Sequence, residues 1–139
     1  METELVPPEG FVPHDRQSPL TEPWEPLFVR KTDTAVILGL RAGPAHANGR
    51  GFVHGGLLMA LADNAMGLTC AHRLGGDRSL VTVNLNLDFL AVAQLGQWLA
   101  FETDFVKLGS TLCFTQAFVT ADGKPCARAN GVFRVVSRD

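Results

Sequence analysis

"HGGLLMALADNAMG", residues 54–67, decides the fold. Leu57, Leu58, Met59, Leu61, Ala62, Ala65, Met66 and, just beyond, Leu68 cover nearly the full circumference of a helix. A helix that is apolar all round is buried on most sides. Two features break the pattern. Gly55 and Gly56 stand at its front, where alanine holds a helix better, and Asp63 sits in an otherwise apolar run. The helix is expected from about residue 55 to about residue 74, where "GGDR" supplies the glycine of a helix C-terminus.

The chain around it has 139 residues, enough for one domain that buries roughly 68% of its unfolded surface without disulfides or metal. It is 46% hydrophobic and 19% charged, too apolar for a disordered chain. A net charge of −2 with scattered Lys and Arg provides no stripe for nucleic acid. No apolar run is long enough to span a membrane, and the acidic, proline-bearing start lacks a signal-peptide pattern. Cys70, Cys113 and Cys126 are odd in number and sit among apolar or small residues, so they read as buried free thiols in a reducing compartment. A cytoplasmic location is expected.

Six of the eight prolines precede residue 27, so residues 1–26 read as an arm outside regular structure. Its Phe11, Leu20 and Trp24 suit a segment laid over the domain or at a subunit contact; a disordered extension is the alternative. The domain proper is taken as residues 27–139. Residues 27–41 read as a hairpin, residues 42–51 as a loop, and the helix is followed by four strands near 79–90, 97–107, 110–121 and 124–136. The first alternates with Val81, Val83, Leu85, Leu87 and Phe89 on one face and Thr82, Asn84, Asn86 and Asp88 on the other. The next two group Leu99, Phe101 and Phe105, then Leu112, Phe114 and Phe118. Short links imply antiparallel neighbours and a meander, hence an α+β fold of about six strands wrapped around one helix.

The first N–H groups of a helix lack internal partners and carry partial positive charge. With no side chains at Gly55 and Gly56, a ligand oxygen has access to those amides, the geometry of an oxyanion hole. The plainer reading is close chain packing. Asp63 has no Lys or Arg within four positions, so it must face a cavity, a partner chain or core hydrogen-bond donors. His54 and Asp63 are nine positions apart, on opposite sides of the helix and ~13 Å from each other. One chain cannot bring both to a small substrate. Two antiparallel helices can, each giving its carboxylate to the other's glycine end.

Asn48, Gly51, His54, Gly55, Gly56 and Asp63 resemble the N-x-x-G-x-x-H-G-G-x6-D signature of hot-dog-fold acyl-CoA thioesterases, more narrowly the phenylacetate-pathway (PaaI-type) branch. "VTVNLNLDFL" and "KLGSTLCFTQAFVTADGKPCARANGVF" are similar to it too, so the likeness spans about residues 30–136. It implies hydrolysis of an aryl or medium- to long-chain acyl-CoA. The Gly55 amide and Asn48 would polarise the carbonyl, and the partner copy's Asp63 would act as base or nucleophile. Thr82 would orient water or carboxylate, and His54 would shape the site near sulfur. Substrate contacts would come from Gly56, Phe52, Leu58, Lys107, Gly109 and Ser110.

No metal and no cofactor are implied, coenzyme A being part of the substrate. The assembly implied is a homodimer with shared sites, or a tetramer. Two departures remove positive charge: Ala91-Val92-Ala93 where relatives carry Arg-Pro-Ala, and Ser110 after Gly109 where relatives carry a basic residue. Weak coenzyme A binding or another carrier follows from that. Lys107, Arg128 and Arg134 are candidate replacements, or simply solvated strand charges. A hydratase or dehydratase and a non-catalytic acyl-CoA-binding dimer are the rival functions. The remaining histidines lack zinc spacing, and His14 and His72 read as surface residues.

Overall fold

Helix α1 runs Gly55–Leu74, with His54 as N-cap and Gly75 closing it at φ +70°. The computed structural model describes residues 6–137; residues 1–5 of the arm and residues 138–139 lie outside the described residues. Strands β1 (Val12–Pro13), β2 (Phe28–Lys31), β3 (Val36–Arg41), β4 (Arg78–Phe89), β5 (Trp98–Lys107), β6 (Leu112–Ala121) and β7 (Lys124–Ser137) form one seven-stranded sheet, ordered β1-β2-β3-β5-β6-β7-β4. Every pair is antiparallel. The sheet wraps α1 as the hot-dog fold requires. Leu57, Leu58, Leu61, Ala62, Ala65, Met66, Thr69 and Cys70 of α1 are buried against Leu38, Leu40, Leu99, Phe101, Ala117, Val119 and Phe133.

The expected meander holds only for β5-β6-β7. Strand β4 lies at the far edge beside β7, and β3 takes the place next to β5. The eight-residue link 90–97 is no hairpin. It crosses the strand ends, where Leu90 and Ala91 N–H donate to the Cys126 carbonyl, Val53 N–H to Ala93 and Gly96 N–H to Ala42. Loop backbone is thus satisfied without strand pairing.

Two bulges overturn the expected faces. In β4 the register slips between Thr82 and Asn84, so Thr82 lies opposite Phe133 and Leu85 opposite Gly131. Thr82, Leu85 and Leu87 therefore share the helix-facing side, while Val81 and Val83 are exposed. In β5 the slip between Thr103 and Phe105 turns Phe105 outward, away from Leu99 and Phe101. In β6 the inward residues are Cys113, Thr115, Ala117, Val119 and Ala121. Leu112 and Phe114 are exposed on the outer face, and Phe118 is half-buried. On β6 small residues pack against the helix and the bulky ones lie outside, whereas Phe101 of β5 and Phe133 of β7 stay inward. Val81, Phe105, Leu112 and Phe114 are thus exposed on the outer face, with Arg134 between Val81 and Leu112.

The arm is held by more than proximity. Val12–Pro13 pairs with β2, Phe11 packs edge-on against Trp98 with centroids 5.1 Å apart, and His46 Nε2–H donates to the Trp24 carbonyl at 2.9 Å. All three cysteines are buried free thiols; burial, helped by neighbouring Cys113, pushes Cys70 up to about 12.

Candidate active site

The bulge at Val83 turns Thr82 toward α1, and there its Oγ1–H donates to Asp63 Oδ1 at 2.8 Å. Asp63 is half-buried and has no cation within ion-pair distance among the described residues. It lines a cavity of about 370 Å³ between α1 and β4. Leu27, Leu38, Leu68, Leu80 and Phe133 make the floor, and Gly67 and Ala71 leave room along the helix. Residues of the arm, from His14 to Thr21, form the opposite wall.

The front of the helix faces a second cavity, about 390 Å³, lined by Leu20, Trp24, His46, His54, Gly56, Leu57 and Ala60 among others. The two cavities have no residue in common. One chain therefore separates carboxylate and glycine end, as the helical spacing requires.

The two glycines have distinct local roles. A Cβ on Gly56 would come within 2.9 Å of the His54 ring, and the Gly56 N–H donates to His54 Nδ1 at 2.8 Å. That amide is consumed by the cap, contrary to the expectation that both are open. A Cβ on Gly55 would lie 2.7 Å from the Phe89 ring, so close packing also shapes this position. The Gly55 N–H makes no backbone hydrogen bond among the described residues, and Gly55 itself lines neither cavity. Because His54 Nδ1 accepts, its proton sits on Nε2, which remains a donor.

Asn48 Oδ1 accepts from the Arg50 and Phe52 amides at 2.9 and 3.0 Å, which fixes the side chain and presents Nδ2–H₂ as its donor end. The Asn48 N–H donates to the Phe52 carbonyl at 2.7 Å, closing the loop before the helix. Phe52, Leu58, Lys107, Gly109 and Ser110 line neither cavity, and Leu58 is only 2% exposed. Lys107, Arg128 and Arg134 lie on the outer face in register with Phe114, Asp88 and Val81, and Arg128 is paired with Asp88 at 2.8 Å. None of these cations reaches the Asp63 cavity.

The sequence reading missed His14, Arg16 and Arg78, which do line it. His14 is half-buried rather than a surface residue, and its Nδ1 is buried with no partner among the described residues. The apolar Phe11, Leu20 and Trp24 were the available signal that this arm is docked. Burial pushes the His14 imidazole below its ordinary value of 6.5. In the window between that lowered value and 6.5 the unfolded chain holds a proton that the folded chain does not, so stability falls as pH drops through 6.5. Denaturation midpoints at about pH 8 and about pH 5 should show this loss, and His14→Gln should remove its share of it.

Known proteins share both the sequence and the architecture. Residues 50–127 match the Thioesterase superfamily. A Pseudomonas aeruginosa protein described as a candidate esterase is 39% identical over 129 residues, 92% of this chain and 96% of that one. Human acyl-coenzyme A thioesterase 13 is 34% identical over 97 residues, 67% of each chain. A variant of the phenylacetic acid degradation protein PaaI from Thermus thermophilus superposes with a TM-score of 0.73 at 23% identity, over 84% of this chain and 98% of that one, and speaks for the fold.

Proposed function

The chain belongs to the thioesterase superfamily, and on that premise we propose that it hydrolyses an acyl-CoA thioester to free acid and coenzyme A, using Asp63 of one copy at the glycine end of a second. The observation that carries this reading is the Thr82–Asp63 pair set in a cavity apart from the helix front of the same chain.

In this reading Asp63 takes a proton from water as the water oxygen bonds to the thioester carbon. The carbonyl electron pair moves onto oxygen, held by the partner copy's Gly55 N–H and Asn48 Nδ2–H. Collapse reforms the carbonyl and breaks the C–S bond. The leaving thiolate, whose parent thiol has a pKa near ~8.5, needs little help. His54 Nε2–H is the donor available to it, and the proton on Asp63 passes to solvent. The reaction uses no cofactor apart from the coenzyme A of the substrate.

A paired assembly is supported by the two edges of the sheet. One is the two-residue β1 with its proline; the other is β4, twelve residues long, with no partner on its outer side among the described residues. A long unpaired edge invites another strand. In this reading β4 pairs with β4 of a second copy around a two-fold axis, and the partner's helix front meets Asp63 and Thr82. The exposed Val81, Phe105, Leu112 and Phe114 support a further association of dimers into a tetramer.

Release of free thiol from a panel of acyl-CoA substrates tests the reaction directly; a wild-type protein that releases none contradicts it. Within the panel, Thr82→Val should lower kcat/KM by about tenfold to a hundredfold, the cost of one hydrogen bond to a carboxylate, while Thr82→Ser keeps most of it.

A further inference from the structure

The cavity at Asp63 is also lined by two arginines that the reaction does not use. Along β4 the period of two puts Arg78, Leu80 and Thr82 on the same helix-facing side. Arg78 stands four residues from Thr82, roughly 13 Å along the strand. On the opposite wall the arm contributes His14 and Arg16. Neither arginine has a carboxylate within ion-pair distance among the described residues. The buried Nδ1 of His14 is likewise without a partner there. Leu80 stands between Arg78 and Thr82 on that face, and Leu68 and Phe133 line the same cavity.

Two unpaired guanidinium groups over an apolar trough suit a ligand with an apolar body and an anionic end. Asp63 repels such an end, so the anion belongs at the arginines and the thioester at the carboxylate. We infer that Arg16 and Arg78 form an anion-binding rim that selects a substrate carrying a negative group about 13 Å from the scissile bond. This rests on the hydrolase reading above. The negative group has two sources: a carboxylate at the end of the acyl chain, or the phosphates of the carrier. Phosphate holding would explain how the chain manages without the positive charges missing at Ala91-Val92-Ala93 and Ser110, since Lys107, Arg128 and Arg134 face outward.

The test compares wild type with the Arg16→Gln/Arg78→Gln double variant on four substrates. They are an alkanoyl group and the ω-carboxyalkanoyl group of equal length, each on coenzyme A and each on N-acetylcysteamine, which lacks phosphates. An acyl carboxylate at the rim raises KM for the ω-carboxy esters relative to the alkanoyl esters by about tenfold or more. Phosphates at the rim raise KM for both coenzyme A esters relative to both N-acetylcysteamine esters. Unchanged ratios overturn the inference while leaving hydrolysis standing.

Calorimetric titration with coenzyme A and with a free dicarboxylic acid keeps the rim testable if wild type turns over none of the four. Binding of either that is lost in the double variant then supports the rim and contradicts only the hydrolase. Binding of neither, or binding that the double variant retains, overturns the rim.

Discussion

Replacing Asp63 by Asn lowers kcat for thioester hydrolysis by about 10²- to 10⁴-fold, the usual share of a positioned general base. Asn has nearly the shape of Asp, and its amide oxygen still accepts the Thr82 Oγ1–H that now reaches Asp63 at 2.8 Å. Packing is therefore preserved and only the basic electron pair is lost. The side chain is half-buried at the wall of a cavity and makes no ion pair among the described residues, so its neutralisation strands no buried charge. KM should move little, since the carboxylate acts on water and not on the bound acyl group. Thiol-release kinetics beside a thermal midpoint check both halves. A variant that keeps wild-type kcat removes Asp63 from the chemistry, whereas one that loses its fold as well assigns the residue to structure.

The helix was legible in the sequence nearly to the residue because its signals are local. An apolar periodicity, a polar residue before it and a glycine after it need no knowledge of the rest of the chain. The position of β4 was not legible. A short link usually joins neighbours, but residues 90–97 donate to Cys126 and Ala42 and accept from Val53 across the strand ends, and nothing in "AVAQLGQ" announces that. The faces of β4 and β5 failed for a related reason. An alternating pattern gives one answer at every position, and a single bulged residue reverses it for the remainder of the strand. Phe105 was grouped with Leu99 and Phe101, but the bulge parts it from them; Leu112, Phe114 and Phe118 do share a face, the outer one, while the space beside α1 takes Thr103, Thr115 and Ala117.

Half of the candidate site was open to reading. Asp63 stood out as a charge without a helical partner, and the glycines as poor helix formers at a helix start. The separation of the two ends also followed from helical geometry. The role of Thr82 came from family resemblance only, since strict alternation places it on the wrong face; the bulge at Val83 is what turns it to Asp63. The arm was expected to lie over the domain or at a subunit contact because of Phe11, Leu20 and Trp24, although its prolines argue against regular structure. They do not argue against docking, and His14 and Arg16 line the cavity from a segment held by two strand residues and the Phe11–Trp98 contact.

The shared site is tested most directly by mixing two crippled chains. Asp63→Asn lacks the base, and Asn48→Ala lacks part of the carbonyl cradle. If each site takes Asp63 from one copy and Asn48 from the other, a mixed dimer contains one intact site and one doubly defective site. Random pairing makes half the dimers mixed, so co-refolded equal mixtures should recover about a quarter of wild-type activity. Activity that stays at the average of the two separate variants would show that each chain builds its site alone, and the account would fail there.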